Sequence, residues 1–192
     1  MRATEVLKQE HRLIEQVLDC LERMAADPSA LDRDAAANAV EFLADYADRR
    51  HHGKEEDLLF TAMEEQGFPT DVGPIGVMLA EHTIGRKVVA GMRAALETRA
   101  EGSRTRFATA AMDYVTLLRE HIQKEDYILY PLADGAFDEA VEARLAAAFA
   151  ELEARPGEER ARARDLEIAE NLAAQFGIAR AADRAEGTLP SG

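Results

Sequence analysis

Apolar residues recur at three- and four-residue spacing through most of this chain, and no stretch holds a period of two for long, so the pattern predicts helices throughout. The first is expected from about Thr4 to Met24, with Thr4 as N-cap and a stripe of Leu7, His11, Ile14, Leu18 and Leu21. Asp27-Pro28-Ser29 breaks it. A second runs from Asp32 or Asp34 to about Glu65, with Val40, Leu43 or Ala44, Ala47, His51, Glu55, Leu58 and Ala62 in line. Beyond Gln66-Gly67-Phe68-Pro69 a third begins near Pro74 and carries Ile75, Met78, His82, Gly85, Val89, Met92 and Leu96. Glu101-Gly102-Ser103 is the next break. With Ser103 as N-cap, a fourth carries Phe107, Ala111, Tyr114, Leu118, His121, Glu125 and Ile128 before Pro131.

Four long helices with short connections predict an all-α, up-down-up-down four-helix bundle. Two further helices, from about Phe137 to Glu153 and from the turn at Arg155-Pro156-Gly157 to about Phe176, are expected to pack outside it. The division expected is a bundle over residues 1–135 and a helical C-terminal extension over 136–192, flexible from about 178 and frayed over 187–192.

Composition narrows the function. A 192-residue chain with 47% hydrophobic content suffices for one core, so one globular unit is expected. Its 23 basic and 37 acidic residues give a net charge of -14, which repels phosphate backbones and anionic lipid and argues against nucleic acid as a partner. No apolar run approaches a membrane span, and the chain opens directly on a charged helical pattern, so a cytoplasmic protein without a membrane partner is expected. Cys20, the one cysteine, rules out an internal disulfide or a four-cysteine metal site and reads as a core thiol. The oligomeric state has no signature in the sequence.

The histidines change the picture. All five, His11, His51, His52, His82 and His121, fall in the four bundle helices, and four occupy apolar stripes, one per helix. His51 is followed four residues on by Glu55, and seventy residues later His121 is followed by Glu125. Residues at i and i+4 share a helix face, so each pair presents an imidazole and a carboxylate to one point. That donor set suits Zn, Fe, Mn or Cu, and since a carboxylate can bridge two ions the doubled pair reads as a dinuclear site. Any one of these histidines alone would more simply be a satisfied core residue. Four converging on one core, two with a glutamate one turn on, is a pattern chance explains poorly.

The set of His11, His51-His52-x-x-Glu55-Glu56-Asp57-Leu58-Leu59-Phe60, Glu81-His82 and His121-x-x-x-Glu125-Asp126 leading to Leu129-Tyr130-Pro131 resembles the hemerythrin-like proteins with the HHE cation-binding domain, over about residues 4–131. The resemblance implies a four-helix bundle around a non-haem di-iron centre, Zn or Mn being possible substitutes for Fe. It implies His11, His51, Glu55, His82, His121 and Glu125 as ligands, with His52 a spare ligand or a donor behind them. Two departures stand out: Arg86 occupies the place where the oxygen carriers have a second third-helix histidine, and Asp126, not Glu125, is their fourth-helix carboxylate position. Glu125 is preferred here because it copies Glu55. What the resemblance implies for function is binding of, or reaction with, O2, nitric oxide or peroxide, as carrier, sensor or oxidoreductase. The alternatives are a metal store or delivery module without chemistry, and a structural, partner-binding bundle.

Overall fold

The structure, a computed structural model, describes residues 1–186; the predicted frayed segment 187–192 lies outside the described residues. It is all helical: α1 spans Ala3–Ala26, α2 residues 33–65, α3 Gly73–Glu97, α4 residues 103–136, α5 Glu139–Glu153, α6 Glu158–Phe176 and α7 Ala181–Glu186. Helices α1 to α4 form the up-down-up-down bundle, with α3 against α4, α1 against α4 and α2 against both α1 and α3. Among the described residues no helix is long and apolar enough to cross a membrane.

Capping differs from expectation at two helix starts. Thr4 lies inside α1; the N-cap is Arg2, whose N–H donates to the Glu5 carboxylate at 3.0 Å, while the Thr4 hydroxyl donates to Asp134 at 2.7 Å and ties α1 to the end of α4. Ser103 is the first residue of α4, and Gly102 caps it at φ +76, a left-handed conformation that glycine adopts without a Cβ clash. At α2 the N-cap is Asp32, whose carboxylate accepts from the N–H groups of Asp34 and Ala35.

A larger departure lies in the winding of α2 and α4. Both contain π-helical turns, over Leu43–His52 and Glu55–Leu59 in α2 and over Glu125–Leu129 in α4; Phe60 N–H returns to Glu55 O, and Tyr130 N–H to Glu125 O, five residues back. The wider turn rotates the residues beyond it by about one position relative to an α-helix. Ile128, placed on the buried stripe by α-helical spacing, is therefore 53% exposed, and Leu58 is only half-buried, while Leu129, Tyr130, Leu59 and Phe60 are buried.

The interior is divided into two apolar clusters. One holds Ile14 to Met24, Val40 to Ala47, Val89, Met92 and Phe107 to Ile122, and buries Cys20; the other holds Leu7, Leu59, Phe60, Met63, Ile75, Met78, Leu129 and Tyr130. Along every bundle helix the crossing from one cluster to the other falls at a histidine or a His-Glu pair: His11, His51 to Glu55, His82, and His121 to Glu125. A polar layer thus lies between two apolar ones. The extension joins both clusters: Ala169 and Leu172 of α6 enter the first, Leu145 and Phe149 of α5 the second. Of the tail from about 178, residues 181–186 form α7, where Ala181 N–H donates to the Gln16 side chain at 2.5 Å.

Candidate metal centre

His11, His51, His52, Glu55, His82, His121 and Glu125 are each at most 4% exposed, and Asp126 is partly exposed. Burial of that many ionisable groups is costly unless each is partnered, and the partners are arranged in a repeated way. His11 Nδ1 meets Asp126 Oδ1 at 2.8 Å, His51 Nδ1 meets Glu10 Oε2 at 3.0 Å, His82 Nδ1 meets Glu56 Oε1 at 2.7 Å, and His121 Nδ1 meets Glu81 Oε2 at 2.9 Å. A carboxylate accepts, so each Nδ1 carries a proton and each Nε2 is turned inward, where it offers a lone pair once any proton on it is given up. Behind the carboxylates stand cations: Lys54 on Glu10, Arg12 on Asp126, Arg86 on Glu56 and Lys124 on Glu81.

The inward atoms fall into two halves. Glu125 places Oε2 3.2 Å from His11 Nε2 and Oε1 3.2 Å from His121 Nε2. Glu55 places Oε1 3.8 Å from His51 Nε2 and Oε2 3.5 Å from His82 Nε2. Each carboxylate therefore offers one oxygen to the His11–His51 half and the other to the His82–His121 half, where the two Nε2 atoms approach to 3.0 Å. Donors about 2.1 Å from one ion would lie about 3.0 Å apart at right angles and about 3.4 Å apart at tetrahedral angles, and the separations here run from 3.0 to 3.8 Å. His51 Nε2, Glu55 Oε2 and both Glu125 oxygens are buried without a hydrogen bond among the described residues. Unsatisfied buried polar atoms call for an explanation, and a cation between them supplies one. Two groups of side chains could hold an ion: His11, His51, Glu55 and Glu125, and His52, Glu55, His82 and His121.

Three placements refine the expected site. His52 stands beside the His82–His121 half, its ring stacked on His82 with centroids 3.8 Å apart and its Nδ1 3.4 Å from Asp48. Asp126, weighed as a ligand, instead faces away from the centre and holds His11 and Arg12. Arg86, in the position of the absent second third-helix histidine, reaches Asp48 at 2.8 Å and Glu56 at 2.7 Å, the two carboxylates that hold His52 and His82. Sequence spacing missed Tyr130. Its hydroxyl donates to Glu55 Oε1 at 2.5 Å and lies 3.2 Å from His11 Nε2, and only the π turn from Glu125 brings it to that face.

Electrostatics reflect this packing. Burial, and then the Glu125 charge, push the Glu55 carboxyl well above its usual range. Burial alone would raise Glu125 too, but His121 and His11 outweigh it and hold Glu125 well below. Burial lowers His51 to about 4 and His52 well below its ordinary value, while for His121 the opposing Glu125 and Glu81 raise the imidazole to about 9. Without a cation the carboxylate pair shares its burden with protons.

A model of the hemerythrin HHE cation-binding domain family matches residues 2–133, which takes in the polar layer and all of the bundle but the last turn of α4. The chain belongs to that family. No curated protein and no solved structure matches it. As a hemerythrin-family, metal-binding domain, the bundle accounts for its buried His/Glu layer, whereas α5 to α7 lie beyond the family match.

Proposed function

We propose that this centre holds two non-haem iron ions and that the protein binds, or reacts with, a small diatomic or peroxide ligand. The observation that carries this reading is that Glu55 and Glu125 each span the two histidine pairs, one oxygen to each. The side chains of the His11–His51 half supply two imidazoles and two carboxylate oxygens, fewer than the six donors of an octahedral ion, so coordination positions are left for an external ligand. When bound, iron would supply a redox-active Lewis acid with such an open position. The protein's part is to orient and to exclude. Glu10, Glu56, Glu81 and Asp126 fix the ring planes and turn each Nε2 toward the centre, and the two apolar clusters flank the layer and shield it from bulk water. The Tyr130 hydroxyl holds Glu55 and stands close enough to donate a hydrogen bond to a ligand bound in the His11–His51 half.

Iron-reconstituted protein should contain about two ions per chain and show charge-transfer bands that change on adding azide or peroxide. Two tightly held ions with no spectral response would make the protein a store or delivery module. A chain that binds no metal would be a structural bundle.

A further inference from the structure

At the end of the bundle where α1 and α3 stop and α2 and α4 start, the 27–32 connection faces the 98–102 connection, and a hollow of about 750 Å3 opens between them. It lies well away from the polar layer. From Ser103 to His121 along α4 is about 27 Å at about 1.5 Å per residue, and no residue of the wall is a ligand candidate. The chain as a whole carries a net charge of -14, yet Arg33, Arg99 and Arg104 all line this hollow, and none of them forms an ion pair among the described residues. Backbone carbonyls orient two of the three: Arg33 Nη2 donates to Thr98 O at 2.7 Å and to Leu96 O, and Arg104 Nη1 donates to Ser29 O. Each guanidinium has five N–H donors, so most of them are left for another acceptor. Two carboxylates share the wall. Asp27 is turned to its own segment, accepting from the Ser29 N–H at 3.0 Å and the Ser29 hydroxyl at 2.6 Å, and Glu101 is exposed. The balance of charge in the hollow is therefore positive.

The first turn of α4 forms part of the same wall. Ser103 N–H donates to Ala100 O at 3.1 Å and Arg106 N–H to Gly102 O at 2.9 Å, whereas the N–H groups of Arg104 and Thr105 between them have no partner among the described residues. Ser103 adds an independent observation. It is only 4% exposed, yet its hydroxyl has no hydrogen bond among the described residues and is not sealed in the interior, so it opens on the hollow that Ser103 lines. A buried hydroxyl without a partner calls for one, and an acceptor held in the hollow supplies it.

We propose that this hollow is a second binding site, which takes the phosphate group of a small phosphorylated molecule and works whether or not the metal centre is loaded. Phosphate oxygens accept from the N–H groups of Arg104 and Thr105, from the Ser103 hydroxyl and from the Arg99 guanidinium, and the positive end of the α4 dipole adds to the attraction. The volume is of the size that small-molecule sites have, roughly 300–1,000 Å3, so it leaves room for an organic part beyond the phosphate.

Calorimetric titration of the full-length protein with ADP and with inorganic phosphate, in metal-loaded and metal-free forms, tests this. Both forms should bind ADP with the same Kd. Arg99→Glu, at an exposed position where folding is little disturbed, should weaken binding about tenfold or more, and Ser103→Ala several-fold. Arg93→Glu makes the same change of charge at an exposed position outside the hollow and should leave the Kd as it was. A Kd tighter for ADP than for inorganic phosphate gives the rest of the hollow to the organic part, and equal values make the free anion the ligand. No heat from either probe at millimolar concentration would overturn the site. So would equal weakening by Arg93→Glu and Arg99→Glu, which would reduce binding to the overall charge. Because no metal takes part, failure here leaves the di-iron reading standing, and failure of that reading leaves this site standing.

Discussion

Glu55 and Glu125 each touch both halves of the centre, whereas His52 stands beside one. On the two-ion reading, replacing either glutamate by Ala would remove a donor from both ions, and metal content should fall further than in His52→Ala, which should retain the ion of the His11–His51 half. Elemental analysis of loaded variants decides it, and equal losses would give His52 the weight of a bridge. Tyr130→Phe is a milder change, since Phe60 shows that an unhydroxylated ring fits the equivalent place. It leaves buried Glu55 Oε1 without its donor, at a cost of about 1–3 kcal/mol in the metal-free protein. Urea unfolding would measure this, and an unchanged midpoint would mean the phenol bond contributes nothing.

At the scale of elements, the extension and the centre are coupled through side chains. Glu153 of α5 lies 3.4 Å from Lys54 Nζ, Phe149 places its ring 5.4 Å from the same ammonium, and Lys54 holds Glu10, which orients His51. Arg50, also buried, meets Glu158 of α6 at 2.9 Å. Lys54→Met should leave Glu10 a buried carboxylate without its cation and destabilise the fold by about 3–5 kcal/mol. Its counterpart Lys124→Met, at a partly exposed pair, should cost about 1 kcal/mol or less. Similar losses in the two variants, by denaturant unfolding, would show that cover by α5 makes no difference. The π turns belong to this scale as well. They let a helix keep His121 and Glu125 inward and still bring Tyr130 to the same face five residues after the glutamate.

For the whole molecule, pH reads out how the polar layer is balanced. His51, lowered to about 4, together with His52 and His82, also lowered, favours the neutral imidazole in the folded state. Their contribution is complete above the unfolded value of about 6.5 and is lost as pH falls toward 4. His121, raised to about 9, and His11, also raised, act oppositely, contributing fully below about 6.5 and losing it as pH rises through 9. The metal-free protein should therefore have its highest melting temperature near neutral pH and decline on both sides. Loaded metal displaces the protons of His11 and His121, so the alkaline decline should disappear, and on acidification metal should leave before helicity falls. Chelation should lower the melting temperature by mass action without loss of helix, because both apolar clusters remain. Calorimetry from pH 5 to 9 tests all of this, and a metal-free melting temperature rising steadily to pH 9 would contradict it.

The sequence alone determined what depends on local periodicity and residue chemistry. Helical spacing placed His11, His51, His82 and His121 on inward faces, the seventy-residue echo of His51-x-x-x-Glu55 in His121-x-x-x-Glu125 exposed the doubled donor set, and together they made the family resemblance legible. A side chain's face is set by 3.6 residues per turn wherever the helix is regular. Where it is not, the sequence misled: the π turns after Glu55 and Glu125 put Ile128 outside and Tyr130 inside, and a winding change of one residue leaves no mark on composition. Only the tertiary structure could show that Asp126 orients His11, that Arg86 reaches Asp48 and Glu56, and that α5 buries Lys54 and not Lys124. Each of these joins residues from different helices, and which carboxylate meets which imidazole depends on how the helices are rotated against one another. Periodicity within one helix does not encode that rotation; the packing of the two apolar layers around the polar one does.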